Sequence, residues 1–208
     1  MKKWLLLVLF AVAGVLLWFF LVTKKKPKDE TPKDQPVAVS RYSAAFNQSV
    51  DTFLNAYYAL SESFVNWDSA AVSPRATTLN QNLQQLNWSE LQKDTIIHET
   101  AVTYVDNLKS GITELTGNAD LTTKRHTFHN LTQNLYDLLR TIKYDGAKVY
   151  LQQCPMAFND TEEGLWLSKT ETIRNPYLGL HHPKYKGGMI SCGETKDKID
   201  FQETGVGK

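Results

Sequence analysis

The amino-acid sequence predicts a mainly α protein: an antiparallel four-helix bundle with a short irregular β/loop segment packed on it, and an N-terminal transmembrane helix. Three observations lead there. Four apolar stripes of helical period follow one another between Phe46 and Ile142. The period changes after Gly146, where alternation and Gly/Pro punctuation replace it. Residues Trp4 to Val22 form an apolar run of 19, close to the roughly 20 needed for a helix to cross a bilayer.

The apolar run sets the organisation of the chain. A cleavable signal peptide has a shorter apolar region and a small-residue cleavage site. Here Phe19-Phe20-Leu21-Val22-Thr23 leads straight into Lys24, Lys25 and Lys26. Residues 1–23 are therefore expected to stay attached as a membrane anchor through residues 4–22, with an uncleaved signal as the alternative. No cysteine lies near the run, so a lipid-modified anchor is excluded. Lysines flank both ends, so the charge rule for orientation gives little contrast. A near-terminal span usually delivers the larger part of its chain across the membrane, which places the soluble part in the periplasm, on the outer side of a bacterial inner membrane. Residues 24–39 read as a solvated linker: Lys24 to Gln35 holds five lysines, three acids, two prolines and no apolar residue. From residue 37 onward 16 basic residues face 19 acidic ones, which argues against a nucleic-acid partner.

Each helix has its own signal. Phe46, Val50, Phe53, Tyr57, Leu60 and Phe64 recur at spacings of 4, 3, 4, 3 and 4. Ser73-Pro74 offers an N-cap and first-turn proline for a shorter helix carrying Leu79, Leu83 and Leu86. Ser89 and Gln92 have capping-box spacing before Ile97, Ala101, Tyr104/Val105, Leu108, Ile112 and Leu115, which Gly117-Asn118 stop. Asp120 can cap a fourth helix bearing Phe128, Leu131, Leu135, Leu138 and Ile142. Short connections make the antiparallel bundle the natural packing. Beyond Gly146, Val149 to Gln152 reads as a short strand and Leu165-Trp166-Leu167 as a second apolar run, with a turn at Asn159-Asp160. The folded domain is expected over residues 40–195, with residues 196–208 a flexible polar tail.

The chemistry sits in the C-terminal quarter. Cys154-Pro155-Met156 and Met189-Ile190-Ser191-Cys192 hold both cysteines and two of the three methionines. Thiolates and thioethers are soft ligands that select Cu(I) over harder metals. Two cysteines in an oxidising compartment equally allow a structural disulfide, with the methionines as packing. Spacing alone leaves both readings open.

The string Tyr150-x-x-x-Cys154-Pro155-Met156-Ala157, Trp166-Leu167-Ser168, Ile173-x-Asn175-Pro176-Tyr177-x-Gly179 and Met189-x-x-Cys192-Gly193 resembles the domain-of-unknown-function family 3347. The resemblance extends more weakly upstream through Asp120 to Phe128 with Arg125, and through Tyr57-Tyr58-Ala59-Leu60, covering roughly residues 44–195. That family occurs in bacterial envelope proteins, including the C-terminal ends of some periplasmic adaptor subunits of heavy-metal efflux pumps. The resemblance therefore implies metal handling or efflux, copper as Cu(I), partners among efflux components, and Cys154, Met156, Met189 and Cys192 as ligands. The chain departs from the family pattern between Gly179 and Met189, where nine residues, Leu180 to Gly188, replace a couple. His181 and His182 in that stretch are possible additional ligands, although loop positions are the simpler reading.

Other candidates have structural readings. His126 and His129 share a helix face, but no nearby acid or cysteine completes a tetrahedral set, so surface histidines beside Phe128 are expected. Trp166, Asn175, Pro176 and Tyr177 are expected to hold the irregular segment on the bundle, and Arg125 to anchor one of its carbonyls or carboxylates. Asp160, Glu162 and Glu163 read as a solvated acidic turn. No Gly-rich phosphate loop, H-E-x-x-H, haem-attachment motif or nucleophile elbow is present in the sequence, so the chain is expected not to be an enzyme. The anchor reading has a direct check. N-terminal mass spectrometry of protein extracted from membranes should find the chain intact through residue 23, and a mature chain beginning after it would reverse the reading.

Overall fold

The structure, a computed structural model, describes Leu16, Trp18 and residues 40–202. The anchor and linker readings lie outside the described residues. Among the described residues no helix is long and apolar enough to cross a membrane.

The domain is helix-rich, with a small antiparallel sheet of three strands. Helix α1 runs over Ala44–Val65, with the Ser43 hydroxyl accepting the Phe46 N–H. Its six stripe residues are all buried. Helix α2, Ser69–Gln84, begins five residues before the predicted start. Asp68 rather than Ser73 caps it, accepting from the Ala71 N–H, and the added turn carries Val72 into the core. Pro74 therefore lies inside the helix, where it supplies no N–H.

The capping box at Ser89 is also corrected. Ser89 donates to Asn87, which caps a short 3-10 helix over Trp88–Lys93. Helix α3 starts later, over Thr95–Thr116, with the Asp94 carboxylate accepting from Ile96 and Ile97. A carboxylate at a helix N-terminus satisfies orphan donors and meets the positive end of the dipole. Asp120 does the same for α4, Leu121–Thr141. Successive helices pack on one another, and their buried stripes share one core with the sheet.

Strands β1 (Val149–Phe158) and β2 (Glu162–Ser168) form a hairpin. Its turn residues Asn159 and Asp160 have φ of 51° and 61°, a conformation that Asn and Asp tolerate best after glycine. Strand β3 (Glu194–Ile199) pairs antiparallel with the other side of β1, giving the order β2-β1-β3. The tail expected from residue 196 on is thus strand as far as Ile199, which lies buried opposite Val149. Its charged run Glu-Thr-Lys-Asp-Lys had looked like a tail, yet charged residues suit a strand at a sheet edge.

The sheet meets the helices along the outer edge of β2. The Leu167 N–H donates to the Tyr57 hydroxyl (3.0 Å), and the Leu165 N–H donates to His129 Nδ1 (3.1 Å). The Leu165 carbonyl accepts from the Tyr177 hydroxyl (2.5 Å). Tyr57 also shares a hydrogen bond of 2.6 Å with Thr132 on α4. The segment following β2 then crosses to the end of α1, where the Leu180 N–H donates to the Val65 carbonyl (2.8 Å). Gly179 is required there, because a Cβ would stand 2.1 Å from the Val65 carbonyl oxygen.

Tyr57→Phe keeps the buried ring and removes one oxygen serving two partners. Leaving Thr132 and the Leu167 amide short of a partner should cost about 1–3 kcal/mol. Denaturant unfolding measures it, with a lower midpoint expected and helical circular dichroism unchanged before the transition.

Candidate functional site

The register of β1 and β2 divides their side chains between two faces. Leu151 opposite Leu167 alternates onto the side where Tyr136 of α4 bonds Asp197 of β3. Gln152 opposite Trp166, and Cys154 opposite Gly164, lie on the other. The segment 169–193 covers that second face. Gln152 Nε2 donates to the carbonyls of Thr170 (3.1 Å) and Glu171 (3.2 Å), pinning the start of the segment.

Asn175 organises its middle. The Asn175 carboxamide oxygen accepts the Tyr177 and Leu178 amides, and its Nδ2 donates to the Cys192 carbonyl (2.8 Å). Its own N–H donates to the Ile190 carbonyl. One fully buried side chain thus ties residues 175–178 to the turn 189–192, closed by the Cys192 N–H on the Met189 carbonyl. Gly193 follows with φ of 136°, and a Cβ there would lie 2.5 Å from the Gln153 carbonyl oxygen and 2.8 Å from the Trp166 ring. Only glycine lets the backbone pass this close.

These contacts bring Cys192 over Cys154. Both are free thiols, Cys154 fully buried and Cys192 half-buried. Burial first, and then the hydrogen-bonded Cys154 thiol facing it, raise the Cys192 thiol well above its usual range. Met156 and Met189 pack half-buried against the same core. Met156 is two residues past Cys154, but the register shifts between Cys154 and Phe158, so strict alternation ends there. Among the described residues no group of three or more His, Cys, Asp and Glu side chains is gathered for a metal. The donors brought together here are two thiols, with the Met156 and Met189 thioethers two and three residues away from them along the chain.

His181 is exposed. The His182 ring stands edge-on to Trp67 at 5.0 Å, and its Nδ1 accepts the amides of Lys184 and Tyr185 (3.2 Å each). That nitrogen is engaged by its own loop. The loop in turn docks on the β1–β2 turn, where Asp160 accepts from Lys184 and from Tyr185 (2.6 Å). The acidic turn is thus engaged at Asp160, and Glu163 pairs with Lys196 at 3.1 Å. Arg125 is buried without a carboxylate. Its Nε donates to the Pro176 carbonyl (3.1 Å) and its Nη2 to the Phe64 carbonyl (3.2 Å), and its guanidinium lies 3.9 Å from the Trp67 ring centroid. Burial lowers its pKa to about 10.

The reading of His126 and His129 as surface residues holds for His126, which is exposed, and is corrected for His129. His126 stacks on Phe158 with ring centres 3.8 Å apart, and His129 is half-buried as the acceptor of the Leu165 amide. Sequence spacing missed Gln152, Tyr57 and Trp67 as organising residues. A pair of glutamines, Gln152 and Gln153, inside a largely apolar strand was the available signal for Gln152.

The site belongs to a helix-rich domain whose small sheet carries one thiol, Cys154, facing a second, Cys192, on the segment that crosses it. Residues 53–145 match the model of the family described as "Protein of unknown function (DUF3347)", the family that the C-terminal motifs resemble. The match spans most of α1 through α4, and the cysteine motifs lie beyond it. No curated protein and no solved structure matches the chain.

The His129 contact carries a pH dependence. Burial is the largest cause lowering its pKa, with His126 and Lys196 acting the same way and Glu163 opposing. The unfolded imidazole takes up a proton near pH 6.5, which the folded one resists. This stability is complete above the unfolded pKa and is lost as pH falls below it. The thermal midpoint should therefore drop between pH 7.5 and 5.5. His129→Gln keeps an acceptor that does not titrate and should show a smaller drop, whereas equal drops would remove His129 as the cause.

Proposed function

We propose that the chain is a membrane-anchored, extracytoplasmic metal-handling domain that binds Cu(I) through Cys154 and Cys192, assisted by Met156 or Met189. The observation that carries this reading is the facing pair of thiols. Two thiolates suit the low coordination numbers of Cu(I), and neutral thioethers add to a soft metal what they would not add to Zn(II). In the same reading the four long helices form an antiparallel bundle, residues 4–22 span the inner membrane and the domain works in the periplasm with components of a heavy-metal efflux system.

The raised Cys192 thiol has a consequence for binding. A thiol must shed its proton to become a ligand, so copper displaces protons and binds more tightly as pH rises. The half-exposed Cys192 is the entry point for the metal, and the fully buried Cys154 is the inner ligand.

A second reading rests on the same facing thiols. Oxidation would join Cys154 and Cys192 as a disulfide closing the segment 169–193 over the sheet, in a domain that binds other proteins without metal.

Competition between the reduced full chain and a chromogenic Cu(I) chelator, without oxygen, separates them. One equivalent of copper should be withdrawn, more tightly at pH 8 than at pH 6. Cys154→Ser and Cys192→Ser should each abolish tight binding. Met156→Leu or Met189→Leu should weaken it by about tenfold or less, since a thioether is the weaker ligand. Failure of the reduced chain to compete even with a weak chelator, with a disulfide found in protein purified without reductant, would establish the second reading.

A further inference from the structure

The two thiols differ in what can reach them. Cys154 is 0% exposed in β1, so no incoming sulfur touches it while the crossing segment stays in place. Cys192 is half-buried between exposed Ser191 and exposed Glu194, and its sulfur is only partly enclosed. The side chains of the two lie within hydrogen-bond reach of each other. Thiol–disulfide exchange proceeds by attack of a thiolate on one sulfur of a disulfide, and access decides which sulfur is attacked. Here access differs between the two partners of one pair.

We propose that Cys154 and Cys192 exchange electrons with an external dithiol/disulfide protein, always through a mixed disulfide on Cys192. In oxidation the Cys192 thiolate attacks one sulfur of the partner's disulfide and expels the other as a thiolate. Cys154, deprotonated in turn, attacks the Cys192 sulfur. The Cys154–Cys192 bond forms, the mixed bond breaks and the second partner sulfur leaves. The pair gives up two electrons and two protons, and the partner's disulfide takes them as two thiols. Reduction retraces these steps: a partner thiolate attacks Cys192, Cys154 leaves, and the partner's second thiolate frees Cys192. The raised Cys192 thiol slows the oxidative direction, because only a thiolate attacks, whereas reduction needs no charge on Cys192. The inference rests on the facing pair that both readings of function share, and not on copper. In the copper reading it readies the site, since only the reduced pair can become two thiolate ligands.

The test uses the full chain, metal-free in a non-ionic detergent, with the glutathione couple as probe. Oxidised glutathione should close the pair, read as the loss of two hydrogens from the intact mass. Reduced glutathione is then added in excess, the reaction is stopped with acid, and the unfolded chain is capped with N-ethylmaleimide. Trypsin separates the cysteines, because Lys148 and Lys169 bound the Cys154 peptide and Lys186 and Lys196 bound the Cys192 peptide. Glutathione should be found on Cys192 at least about tenfold more often than on Cys154, since buried thiols are inert. Cys154→Ser should hold glutathione on Cys192 as a lasting adduct, because no second thiol displaces it, and folded Cys192→Ser should take up none. Equal labelling of the two cysteines, a preference for Cys154, or a pair that glutathione cannot close would overturn the proposal. Labelling of the unaltered chain decides if either variant fails to fold. Closure through Cys192 without copper uptake would uphold this inference and remove the copper reading, and copper uptake by a pair that does not close would do the reverse.

Discussion

The domain depends on how the outer edge of β2 is satisfied. A strand at the end of a sheet leaves backbone donors and acceptors unpaired, and burying them unpaired is costly. Among the described residues no further strand covers β2. The Tyr57 hydroxyl, His129 Nδ1 and the Tyr177 hydroxyl take the Leu167 N–H, the Leu165 N–H and the Leu165 carbonyl one by one. Two of these side chains belong to α1 and α4, and the third comes from the crossing segment. A small sheet is thereby fastened to the helical core through two side chains and to the crossing segment through a third.

The position of the thiols follows from that attachment. Cys154 is fixed in β1, one strand in from the fastened edge. Cys192 is held by the crossing segment, which Gln152, Asn175 and Arg125 secure at three points along its length. Arg125 reaches the segment from α4 and the Phe64 carbonyl from the same guanidinium, so helices and segment share one donor. The buried charge is stabilised by carbonyls and the Trp67 ring rather than by an acid. Replacing a carboxylate partner with neutral acceptors ties the residue to backbone geometry, which is what a fastening requires.

Much of this was legible in the sequence where local rules decide. The α1 stripe and the Asp120 cap stand where periodicity and capping chemistry put them. The second helix was misjudged because Ser73-Pro74 fits a start signal, while Asp68 caps with equal chemistry and buries Val72 as well. His129 was misread because its partner is a strand amide supplied by tertiary packing, which helical spacing cannot express. The third strand was missed because its residues are charged, and its one apolar anchor, Ile199, comes last. The approach of Cys154 to Cys192 is likewise tertiary. It rests on a buried asparagine and on glycines that admit close backbone contact, and neither is encoded by cysteine spacing.

The central claim is that helix side chains stand in for a missing strand. Amide hydrogen exchange measured residue by residue addresses it most directly, at Leu165 and Leu167. Both amides point away from β1, yet they should exchange as slowly as amides inside the hairpin, and Tyr57→Phe should release Leu167 selectively. Exchange of both at the rate of an open sheet edge in the unaltered protein would contradict the account, because the sheet would then not be fastened where the thiols require it.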